Sequence, residues 1–172
     1  MDDLICTAGA VLAAREKLAS VTPLWRDCGA LCGAACCQPD SEGLGGMLLF
    51  PGEETLYKSL PEGFHLEEVP EGRLLVCQGV CARLDRPLAC RVFPLMFTLG
   101  QGQGGVMMDK RAWPLCPLMP DGLSGLRADF VLAAREAAAL LVLDEKQRAF
   151  LAARQREAAE WTRAPWQKGG TA

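Results

Sequence analysis

The sequence predicts an α+β fold: a small Cys/Gly-rich core with short strands, flanked by an N-terminal helix and two C-terminal helices. Three observations carry this. Apolar residues recur at helical spacing towards both ends of the 172-residue chain. Between residues 25 and 123 glycine, proline and cysteine set the texture, and regular segments are short. Eight of the nine cysteines fall inside that middle region. The length suits one domain spanning residues 1–172, and with 50% hydrophobic residues the chain reads as globular.

The first helix is expected over residues 2–20. Leu4, Ile5, Ala8, Val11, Leu12 and Leu18 or Ala19 recur near helical spacing, with Arg15, Glu16 and Lys17 on the wet side. Thr22-Pro23 is a plausible stop, because a residue before proline is pushed out of helical geometry. Cys6 sits on this helix, apart from the other cysteines, and reads as a small packing residue.

In the middle region Met47–Phe50 looks like a buried strand, followed by a short helix from Pro51 to Leu60 with proline near its start. Phe64–Val69 and Arg73–Cys77 look like two strands around the turn Pro70-Glu71-Gly72, and Gly105–Asp109 adds another. Residues 100–105, Gly-Gln-Gly-Gln-Gly-Gly, lack the GxGxxG spacing and read as a flexible hairpin loop rather than a phosphate cradle. The last third is helical over about 124–163. Ser124 is the expected cap of one helix, running through Phe130, Ala134 and Leu141. Asp144 with Gln147 resembles a capping box for a second, running through Trp161. Residues 165–172 read as a frayed tail.

Composition excludes several functions. A net charge of −3 leaves no basic surface for nucleic acid. The start Met1-Asp2-Asp3 is acidic, with no basic segment before an apolar stretch, so no secretory signal is expected. The most apolar run, Ala137–Leu143, is too short to span a bilayer. The expected setting is the cytoplasm, where structural disulfides are rare, and nine cysteines fall below the roughly 8% typical of small disulfide scaffolds.

The array itself is Cys28, Cys32, Cys36 and Cys37, then Cys77 and Cys81, then Cys90 and Cys116. Thiolates grouped this way are ligands for soft metal ions, and chelation would staple a region poor in regular structure. Cys28, Cys32 and Cys36 step by four residues, as do Cys77 and Cys81. Gly29, Gly33 and Gly79 let backbone N–H groups approach sulfur. Adjacent side chains usually diverge, and Cys36 and Cys37 can both bind one tetrahedral ion only with a strained backbone; more readily they serve different centres, or one binds and the other packs. Eight thiolates match two four-cysteine sites, or one four-cysteine iron–sulfur cluster plus a second site or spare thiols.

Charge is consistent with that. Between Cys77 and Cys116 there are five basic residues, Arg83, Arg86, Arg91, Lys110 and Arg111, against the two acids Asp85 and Asp109. Such a surplus favours buried anionic centres; a solvated basic face is the plainer explanation. Arg86–Pro94 looks like a short helical turn begun by Asp85 and ended by Pro94, holding Cys90. Arg86 either bonds a carbonyl or carboxylate in support or stands as a surface arginine.

The residues Cys28–Cys37, Cys77–Cys90 with Arg86-Pro87, and Cys116 resemble the YkgJ-like cysteine-cluster family, described as zinc- or iron-chelating proteins. Cys32 and Cys36 are separated by three residues, where the family's usual pattern has two. The resemblance implies metal or cluster binding, with zinc or a four-iron cluster (4Fe-4S) as cofactor. A similar cluster occurs in flagellin lysine methylases, which suggests protein modification as an alternative. The chain lacks the CxxxCxxC spacing of radical-SAM enzymes.

Other chemistry is thinly represented. His65 is the only histidine and lies in a predicted strand. Glu53-Glu54 and Glu67-Glu68 are expected to face water. Met107-Met108 are expected to pack rather than to ligate. Three readings follow: a metal or cluster protein acting in redox, metal handling or sensing; a cluster-dependent modifying enzyme; or a zinc-stapled module for a protein partner.

Overall fold

In the computed structural model, residues 2–38, 45–60, 62–77 and 81–161 are described, with backbone alone for residues 2–6 and 161. The Cys6 side chain, Gly79 and the tail 165–172 lie outside them.

Helix α1 (Asp2–Lys17) contributes to the larger apolar core. Val11, Ala14 and Leu18, at i, i+3 and i+7, are fully buried. They face α4 (Ala128–Leu141), whose Ala134, Ala137, Ala138 and Leu141 are buried in the same cluster. The helix ends earlier than residue 20, where Leu18 and Ala19 donate to the Arg15 and Glu16 carbonyls and tighten the last turn. Arg15, assigned to the wet side, is buried. It stands four residues after Val11 and three before Leu18, on the core seam itself.

Two antiparallel sheets follow. The first has the order β1-β3-β2, from β1 (Gly46–Leu48), β2 (His65–Val69) and β3 (Gly72–Val76). Val69 pairs with Gly72 across a two-residue turn, and Leu75 stands opposite both Met47 and Leu66. A small second core of Leu49, Tyr57 and Leu75 packs beside this sheet. The helix expected over Pro51–Leu60 is only a 3-10 turn, Glu53–Leu56.

The second sheet pairs β4 (Leu95–Gly100) with β5 (Gln103–Met108). Strand β4 was not expected from the sequence. Leu95, Met96 and Phe97, which alternate between the two faces, are all buried where helices pack against the strand. Burial on both faces erases the alternation by which a strand is read. The glycine stretch is a hairpin turn, as expected: Gln101 and Gly102 both have positive φ, 50° and 81°, as a type I′ turn requires. Gly104 serves packing. A Cβ there would lie 2.3 Å from the Ala138 carbonyl carbon and oxygen, so α4 rests directly on β5.

Helix α4 begins at Ala128 rather than at Ser124. Residues 122–125 form a separate 3-10 turn, in which Ser124 Oγ donates to the Asp121 carbonyl at 2.7 Å. The cap of α5 (Glu145–Trp161) is Asp144, whose Oδ1 accepts the Gln147 N–H at 2.9 Å. Its reciprocal half is not made. Gln147 is fully buried and donates instead to the carbonyls of Pro51 at 2.7 Å and Thr7 at 3.3 Å. Thr7 Oγ1 donates to Asp144 Oδ2 at 3.0 Å, tying α1 to the start of α5.

A last short helix, α3 (Leu88–Val92), places Leu88 and Val92 in the main core. The main core is therefore apolar, and Cys28 and Cys116 pack at its margin.

Candidate metal centre

Local backbone geometry sets the first four cysteines. Asp27 Oδ1 accepts the Gly29 N–H at 3.1 Å and starts the single turn α2 (Gly29–Cys32), with Cys28 before it and Cys32 closing it. Gly33 and Ala34 then both take left-handed backbone, φ 59° and 55°. Glycine does so freely, alanine only at a cost. The reversal leads into the 3-10 turn Ala35–Cys37, where the Cys36 and Cys37 sulfurs lie 3.9 Å apart. A disulfide would need about 2.05 Å. All eight cysteines of the array are free thiols.

The other four arrive by tertiary contact. Cys77 directly follows β3, Cys81 precedes the 3-10 turn Arg83–Asp85, and Cys90 lies within α3. Cys116 sits in the turns after β5, its N–H bonded to the Ala112 carbonyl at 2.8 Å.

Two adjoining clefts collect them. Cys28, Cys32, Cys36 and Cys116 line one, floored by Phe93, Pro94 and Leu118. Cys37, Cys77, Cys81 and Cys90 line the other together with Arg86, while Cys28 and Cys36 form its border with the first. Among the described residues no group of three His, Cys, Asp or Glu closes tightly enough to hold a metal ion as it stands. The donors nevertheless suit a soft metal, and one further feature fits an anionic centre. Arg86 Nε is buried without a hydrogen-bond partner among the described residues. A buried guanidinium N–H lacking an acceptor, beside thiols, is a group that metal-bound thiolates would satisfy.

Among the described residues Arg86 does not bond a carbonyl or carboxylate with its side chain. Its side chain hydrogen-bonds the Cys81 thiol, and its charge also reaches Cys37 and Cys28. The rest of the basic surplus is largely committed elsewhere. Arg83 donates to the carbonyls of Leu18, Ala19 and Val21. Arg91 donates to those of Arg86, Arg15 and Leu84. Arg111 forks onto the Asp109 carboxylate. A count of charges along the chain overstated what faces the sulfurs.

Burial shifts most of these thiols upwards, Cys90 most plainly. Cys37 moves the other way, to about 6. The hydrogen bond with Cys36 is the first cause, and the Arg86 charge adds to it against burial. Cys36 is correspondingly raised. The adjacent pair thus divides into one thiolate and one thiol.

The segment carrying Arg86 and Cys90 is held by residues that sequence reasoning missed. Glu53, assigned to water, is fully buried. Its Oε1 accepts from Arg15 Nη1 at 2.6 Å and from the Leu88 N–H at 2.7 Å, and its Oε2 from the Phe50 N–H at 3.1 Å. Glu53, not Asp85, therefore satisfies the orphan first-turn amide of α3. Burial pushes its carboxyl up, against the Leu88 amide and Arg15. Tyr57, its own hydroxyl pushed up to about 12 by burial and Glu53, donates to the Asp85 carbonyl at 2.9 Å. The only signal in the sequence was a charged residue, Arg15, on an otherwise apolar seam.

The remaining candidates stay outside this arrangement. His65 is exposed, with Nε2 2.8 Å from Glu67 Oε1. Glu67 and Glu68 face solvent as expected. Met108 packs against the main core, while Met107 is exposed. No family model, curated protein or solved structure matches the chain.

Proposed function

We propose that this is a cytoplasmic metal-binding protein of the YkgJ-like kind, holding zinc or a 4Fe-4S cluster through Cys28, Cys32, Cys36, Cys37, Cys77, Cys81, Cys90 and Cys116. The observation that carries it is the gathering of eight free thiols around two adjoining clefts, the second also lined by Arg86, whose Nε has no partner among the described residues. Bound iron–sulfur would supply electron transfer or sensing; bound zinc would supply folding free energy. The chain's own part is to fix the thiols and to donate from Arg86 to sulfur. No described helix is long and apolar enough to cross a membrane.

A second reading, a zinc-stapled module for a protein partner, draws on exposed Leu31, Trp113 and Leu115 around Cys32 and Cys116. Anaerobic purification with metal analysis and a visible spectrum separates them. Iron with visible absorbance supports the redox or sensing reading, and colourless stoichiometric zinc supports the module. A metal-free protein would defeat both.

A further inference from the structure

We infer that the eight thiols form two separate four-thiolate centres, an outer one of Cys28, Cys32, Cys36 and Cys116 and an inner one of Cys37, Cys77, Cys81 and Cys90. This rests on the metal-binding reading and assigns its ligands.

The division follows from which cleft each thiol lines. Cys36 and Cys37 lie on one 3-10 turn entered from left-handed Ala34, with their sulfurs 3.9 Å apart where the two clefts adjoin. Cys36 borders the cleft that holds Cys32 and Cys116, whereas Cys37 borders only the cleft that holds Cys77, Cys81 and Cys90. Mutual charge effects draw the same line. Cys28 is within reach of Cys116 and Cys32, and Cys116 of Cys32. Cys90 is within reach of Cys37, Cys81 and Cys77, and Cys81 of Cys37 and Cys77. The cross-links between sets run through Cys36, which also reaches Cys37.

The two centres differ in setting. Arg86 hydrogen-bonds a thiol of the inner set. The outer set opens onto exposed Leu31, Trp113 and Leu115, and Cys36 itself is exposed. Each centre is dianionic when four thiolates meet one zinc ion or one oxidised four-iron cluster.

The test uses the full chain purified anaerobically, with zinc and iron measured per chain and protected cysteines mapped by alkylation and mass spectrometry. Wild type should carry about two zinc ions, about eight iron atoms, or one centre of each kind. Paired Cys32→Ala and Cys116→Ala should halve the metal and expose Cys28 and Cys36, leaving Cys37, Cys77, Cys81 and Cys90 protected. Paired Cys77→Ala and Cys81→Ala should give the complementary pattern. If the inner variant fails to fold by circular dichroism, the outer variant decides alone. One centre's worth of metal in wild type, or loss of all metal and protection in the outer variant, overturns the division while leaving metal binding intact. Wild type without metal overturns the metal reading itself.

Discussion

Arg15 Nη1 and Glu53 Oε1 meet at 2.6 Å, and the same carboxylate oxygen accepts the Leu88 N–H at 2.7 Å, two residues before Cys90. An ion pair between α1 and the 53–56 turn thereby sets the start of the helix that presents a candidate ligand. Glu53→Ala should cost about 3–5 kcal/mol, since it leaves a buried guanidinium without its partner. Replacing both, Arg15→Leu with Glu53→Leu, should cost less than Glu53→Ala alone. Urea denaturation of the three variants checks the order, and equal losses would mean that the pair is not coupled.

Gly104 should not tolerate a methyl group. Gly104→Ala sets a Cβ against the Ala138 backbone, which has no free side chain to swing away, so α4 or β5 must shift. A loss of about 1–3 kcal/mol is expected. Gly100→Ala, with nothing within 4 Å of the new Cβ, should be close to neutral by comparison. Thermal melts of both variants read the contrast.

In the reduced, metal-free chain Cys37 sits at about 6, lowered first by the hydrogen bond with Cys36 and then by Arg86. A lowered thiol is ionised at lower pH, so its alkylation should rise through pH 6 and level off near neutrality. Cys90, pushed up by burial, should stay unreactive over that range. Site-mapped iodoacetamide rates across pH test this. A Cys37 midpoint near the ordinary ~8.5 would contradict the arrangement of the pair.

Arg86→Gln removes the charge beside Cys37 and the hydrogen bond to Cys81. The Cys37 midpoint should move up, and metal affinity should fall about 10–100-fold, as when an outer partner of a ligand is lost. Competition with a chromophoric chelator measures the second effect. Unchanged affinity would reduce Arg86 to a surface arginine.

Metal should leave in two phases. The outer centre, with Cys36 exposed, gives up its ion to a chelator first, and the inner centre follows slowly. A single phase that releases all metal together would contradict two settings of different exposure.

The sequence carried the outline of this architecture unevenly. Strands β2 and β3 and the turn at residues 70–71 were legible because one side of each strand meets solvent and the turn chemistry is local. Strand β4 was not, because Leu95–Phe97 are covered on both sides. The Asp144 cap was readable, whereas Ser124 misled: a nearby serine is a good cap only where the chain turns at that residue. Spacing pointed to the cysteines that gather at the two clefts. Which of them share a cleft was not legible, since Cys77, Cys81, Cys90 and Cys116 reach the first four by tertiary folding. Glu53 was unreadable for a related reason, its partner Arg15 lying on another element.

The central claim is that thiolates alone hold the metal. X-ray absorption at the metal edge of the anaerobically purified chain tests it most directly. The account predicts a first shell of sulfur, at about 2.3 Å for zinc, with no nitrogen or oxygen from protein ligands. A shell dominated by nitrogen or oxygen, or a protein that retains no metal while its cysteines stay reduced, would contradict it.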